Sequence, residues 1–117
     1  MRIIILDSDE LGGSDPGESL EIATASRRPR CWPFADARAF AAHRMGAQAA
    51  RHLPDPVPAW RSMRVGRMLG YVQEFTDIPI KADSGWQALV IVDNWDEENV
   101  VLYSRDWFIH YLWSTSS

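Results

Sequence analysis

The apolar positions follow two periods along this chain, and the period changes twice. Residues 2–6 are β-branched and apolar and stop at Asp7-Ser8-Asp9-Glu10 and Gly12-Gly13. That pattern predicts a short buried strand running into a turn. Asp15-Pro16-Gly17 marks a second turn. Leu20, Ile22 and Thr24 then alternate with Ser19, Glu21 and Ala23, as a half-buried strand over 19–24 requires. So short a connection leaves no room for a parallel crossover, so the two strands are expected to pair antiparallel.

The period then lengthens. After a proline-containing basic linker over 27–33, Asp36 is placed to cap a helix running to about Arg51. Ala39, Ala42, Gly46, Ala49, Ala50 and Leu53 fall on one side of it, a face of mostly small side chains. The stretch His52-Leu53-Pro54-Asp55-Pro56-Val57-Pro58 stops that helix. A second helix is expected from about Ala59 to Glu74, with Trp60, Met68, Tyr71, Val72 and Phe75 as its apolar face. Ser62, Gly66 and Gly70 recur every four residues on another face. Small residues on both helices predict a closely packed antiparallel helix hairpin.

Period two returns after Asp77-Ile78-Pro79. Residues 86–92 and 100–103 are apolar runs around a polar loop at 93–99, which predicts a β-hairpin. Ser104 can cap a last helix over 105–113, with an extended strand as the competing reading of that segment. The predicted fold is α+β: a small, mainly antiparallel sheet from residues 2–6, 19–24, 86–92 and 100–103, packed by the helix hairpin in a single domain over 1–117.

Composition adds little until it is read by segment. Residues 27–67 carry nine arginines against two acids, a balance of +7, while 1–26 stand at −5 and 68–117 at −6, for a net −4. With a single cysteine, Cys31, no internal disulfide can form and no multi-cysteine zinc site is available. No apolar run approaches the roughly 20 residues of a spanning helix, so a cytoplasmic protein without a membrane partner is expected. His43, His52 and His110 lack partners at metal-ligand spacing, and solvated or helix-terminal roles are expected of His43 and His52. No catalytic set, metal site or cofactor site is predicted.

Three functional readings follow. The leading one starts from the loop at 93–99, where Asp93, Asp96, Glu97 and Glu98 surround Trp95. An aromatic ringed by carboxylates suits docking on a basic protein surface, with Trp95 as anchor and the acids steering association. Trp32, in the basic linker, is a second candidate contact. Small acidic proteins with six tryptophans and no catalytic set are similar in composition to stoichiometric inhibitors, such as toxin-immunity proteins and phage anti-defence proteins of the anti-CRISPR type. The expected partner is a protein with a basic surface, a nucleic-acid-handling protein being one such. The second reading starts from Ile3-Ile4-Ile5-Leu6-Asp7-Ser8-Asp9, which resembles the first motif of haloacid-dehalogenase-type phosphotransferases. The resemblance implies Asp7 as nucleophile, Asp9 as acid/base and a bound Mg²⁺. Glu10-Leu11 stands where that family has Gly-Thr. The third reading is phosphate contact through Arg61, Arg64 and Arg67 and through Arg27, Arg28 and Arg30. A sequence pI near 5.2 opposes it.

Overall fold

Strand β2 (Ser19–Ser26) sits inside a sheet rather than at its rim. The computed structural model describes residues 1–12, 17–28, 34–59, 63–80 and 85–116, with 63–67 described in backbone only. Among these, β1 (Arg2–Asp7), β2, β3 (Val57–Pro58), β4 (Gln87–Asp93), β5 (Glu97–Tyr103) and β6 (Trp107–Ser114) form one sheet in the order β1-β2-β6-β5-β4-β3. Every neighbouring pair is antiparallel. The expected pairing of the first two strands is therefore present, with Ile4 opposite Ile22. The expected hairpin also forms, but its turn is tighter than the predicted loop: Asn94 N–H donates to the Glu97 carbonyl at 2.8 Å. A bulge between Val90 and Val92 shifts its register.

The helix expected over 105–113 is a strand, and a central one. β6 pairs with β2 on one side and β5 on the other. Trp107-Phe108-Ile109-His110-Tyr111-Leu112-Trp113 is apolar almost throughout, as a strand covered on both faces must be, so no period showed which element it was. Ser104 Oγ accepts from Asp106 N–H at 3.3 Å, tying the β5–β6 turn instead of capping a helix.

Helix α1 (Ala37–Met45) starts where Asp36 caps it, the carboxylate accepting from Ala39 N–H at 2.8 Å. It ends at Gly46, whose φ of +98° breaks the expected single helix into α1 and the short α2 (Ala47–Ala50). Helix α3 (Met63–Thr76) buries Met68, Leu69 and Val72, with Tyr71 and Phe75 partly buried. It ends at Asp77, which takes the left-handed conformation with φ of +56°.

The expected helix hairpin is not borne out. Phe40 and Ala41 of α1 pack with Ala25, Leu89, Val101 and Phe108 on one face of the sheet. Met68, Leu69 and Val72 of α3 pack with Ile22, Val100, Leu102, Ile109 and Tyr111 on the other. The helices lie on opposite sides. Gly70 is exposed, and a Cβ built there would meet nothing within 4 Å, so this member of the small-residue stripe seats no partner helix. Of the rest of that stripe and Trp60, Ser62 and Trp60 fall outside the described residues and Gly66 is described in backbone only. On α1, Phe40, Arg44 and Met45 reach the sheet beside Ala41, and stacking of Phe40 on Phe108 at 5.4 Å and of Phe34 edge-on against both fills the space.

Candidate functional site

Antiparallel register brings four chain segments to one end of the sheet. Asp7 at the end of β1 lies opposite Ser19, Ser19 opposite Ser114, and Ser114 opposite Glu97. The β4–β5 turn contributes Asp93, Asp96 and Glu97 there. The β1 end and the approach to β2 contribute Asp7, Asp9, Glu10 and Glu18. No lysine or arginine occurs in the segments that form this end, residues 7–12, 17–19, 93–98 and 113–116. The acidic character assigned to one loop thus belongs to a whole sheet end.

This end is held in place by hydrogen bonds. Thr115 N–H donates to the Asp96 carbonyl at 2.9 Å, which ties the turn to β6. Ser19 Oγ and Ser114 Oγ lie 3.2 Å apart, and Trp113 Nε1–H donates to Glu18 Oε1 at 2.8 Å. Trp95 projects from this frame with 73% of its surface exposed, more than any other large apolar residue among those described. A turn whose backbone is tied down in this way presents its residues to a partner without first having to be ordered.

The sequence-predicted residues divide on this geometry. Trp95 and Asp93 are exposed, and Asp96 and Glu97 are half-buried beside them. Glu98 is not a surface group: it is 1% exposed and, by strand alternation, turns to the α3 face with Val100 and Leu102. It therefore does not share the exposed surface of Trp95 and Asp93. Trp32 lies outside the described residues. Asp7, Asp9, Glu10 and Glu18 were missed as companions of Trp95, because only long-range register shows that they share an end with it.

The Asp7 and Asp9 reading takes a different shape in the structure. Asp7 Oδ1 accepts from Glu10 N–H at 3.0 Å, and Leu11 N–H donates to the Asp7 carbonyl at 3.1 Å, so the motif closes a turn. β1, which carries the motif, is an antiparallel edge strand. Among the described residues no group of three or more His, Cys, Asp or Glu side chains is placed to hold a metal ion. At the opposite end of the sheet a cleft of about 320 Å³ includes Arg2, Thr24, Ser26, Thr76 and Trp107. Among the described residues its lining has hydroxyls but no carboxylate or imidazole to activate them.

The arginines are partly spoken for. Arg27 lies 4.5 Å over the Phe108 ring and donates to the Ser104 carbonyl at 2.5 Å. Arg44 pairs with Glu21, joining the basic middle segment to the acidic first one. Arg30 and Arg61 lie outside the described residues, and the side chains of Arg64 and Arg67 do as well.

Arg44 also reaches His110. Its Nε–H donates to His110 Nδ1 at 3.1 Å, while His110 Nε2 lies 2.7 Å from Asn99 Oδ1 and donates to it. Asn99 Nδ2 faces Met45 Sδ at 3.4 Å. Sequence reasoning gave His110 no role beyond the lack of a metal-ligand partner; it is 2% exposed in the middle of the central strand. Burial, and then the neighbouring Arg44 guanidinium, pushes its imidazole down from 6.5 to about 4. The cluster locks α1 to the sheet and keeps one imidazole neutral.

No helix among the described residues is long and apolar enough to cross a membrane. Comparison with family models, with curated proteins and with solved structures finds no match to the chain.

Proposed function

We propose that the protein is a non-enzymatic binding module that docks its acidic sheet end on a basic surface of a partner protein, with Trp95 as anchor. The carrying observation is one coincidence: the most exposed large apolar side chain described stands on a tied-down turn, at the sheet end whose segments contain acids and no bases. Buried aromatic anchors supply much of the affinity at protein interfaces, and surrounding charges mainly raise the association rate and select the partner. A seated Trp95 would exclude water from the centre while Asp93, Asp96 and Asp9 stay at the rim. Occlusion of the surface beneath is the corresponding mode of action, that of a stoichiometric inhibitor of the immunity-protein or anti-CRISPR kind. A nucleic-acid-handling protein, whose working surface is basic, is the class of partner this chemistry favours.

The test is differential capture from the native host with two baits, the wild type and the triple variant Trp95→Ala, Asp96→Ala, Glu97→Ala. A partner held by the first should be lost from the second, and its association rate should fall several-fold between about 50 and 200 mM salt. Equal retention on both baits sinks the proposal.

A further inference from the structure

The two edges of the sheet are built differently. β3 is two residues long, contains Pro58 and follows Pro54 and Pro56, so it offers little for another strand to join. β1 is six residues long and has no proline, and its four central residues are all apolar. Among the described residues no strand pairs with its outer side. Alternate N–H and C=O groups along that side therefore point outward, ready to continue a ladder. Ile4 and Leu6 turn to the α3 face, where they pack with the core. Ile3 and Ile5 turn to the other face, beyond the reach of the α1 cluster, and are 46% and 68% exposed.

We infer that β1 is a self-association edge, which a second copy of the chain occupies by antiparallel β1–β1 pairing about a two-fold axis normal to the sheet. The charge sequence of the strand selects this occupant and this direction. β1 begins at Arg2 and runs into Asp7-Ser8-Asp9-Glu10, so an antiparallel copy sets each basic beginning beside the other's acidic end. A parallel copy would set like against like. An axis normal to the sheet keeps corresponding faces on the same side, so residues of equal parity pair. Centred on Ile4, the pairing puts Ile3 opposite the partner's Ile5 and Ile5 opposite the partner's Ile3. The four exposed isoleucines then close into one patch. Glu21, the cross-strand neighbour of Ile5, is the inward charge that would resist this, and Arg44 already neutralises it. Pairing of this kind is isologous and closes at two copies.

Sedimentation equilibrium on the full chain tests it. The wild type should approach twice its 13.3 kDa mass as concentration rises. Ile5→Lys breaks two symmetry-related cross-strand pairs and should weaken association roughly a hundredfold. Ile5→Thr keeps strand propensity and should weaken it less, which guards against a lysine variant that fails to fold. Arg2→Glu should weaken it as well, while Trp95→Ala should leave it unchanged, because the β4–β5 turn that carries Trp95 is remote from the β1 edge. Amide exchange along β1 should slow as the dimer forms. A wild type that stays monomeric to about 0.5 mM overturns the inference. So does a dimer that Ile5→Lys leaves equally tight, or an open-ended assembly in place of a dimer.

Discussion

Replacing His110 with glutamine should flatten the acid limb of the protein's stability. In the folded chain Nδ1 of His110 accepts from Arg44 and Nε2 donates to Asn99, so an added proton must go to Nδ1, against a guanidinium N–H. It must also be held in the interior, at 2% exposure. Together these push the imidazole from 6.5 down to about 4. The unfolded chain takes up the proton near 6.5 and the folded chain does not, so between those values the unfolded state binds more protons and stability rises with pH. Acidification reverses this. The loss attributable to His110 is about 2 kcal/mol by about pH 5 and about 3 kcal/mol in all once the folded state titrates. Glutamine offers an acceptor and a donor in the same region and does not titrate. Urea unfolding of wild type and His110→Gln from about pH 7.5 to about pH 5 isolates the effect, because other groups cancel in the difference. The variant should start less stable and converge on the wild type by about 2 kcal/mol as the pH falls. A stability difference that stays constant over that range would falsify the assignment.

Two further substitutions follow from packing. Phe40→Ala removes a fully buried ring stacked on Phe108 and should cost about 3–5 kcal/mol in urea unfolding. Gly70→Ala, in an exposed helix interior with open space around it, should stabilise by about 0.5–1 kcal/mol, whereas a closely packed helix hairpin would have made it harmful. Gly46→Ala has equal space but a φ of +98°, and should destabilise by about 1 kcal/mol or more, so the two glycines should move the unfolding midpoint in opposite directions.

The local pattern determined a good deal. The strands at the chain's beginning, the Asp36 cap, the apolar face of α3 and the β4–β5 hairpin could all be read because each depends on neighbours within a few residues. Trp95 was visible for the same reason, as an aromatic inside a short acidic turn. Tertiary structure decided the rest. β6 could not be told from a helix, because a strand covered on both faces carries no alternation. The small-residue faces of α1 and α3 invited a hairpin, yet burial depends on what the sheet offers, and it offers an apolar surface on each side. Bonds such as Trp113 to Glu18 span 95 residues, and no local propensity encodes them. Register of that range gathered acids from three segments at one end, made β1 an edge and sank His110 into the centre. Charge sorted by segment in the sequence thus became, at one end of the sheet, charge sorted by place, because antiparallel pairing folds distant turns onto a common rim.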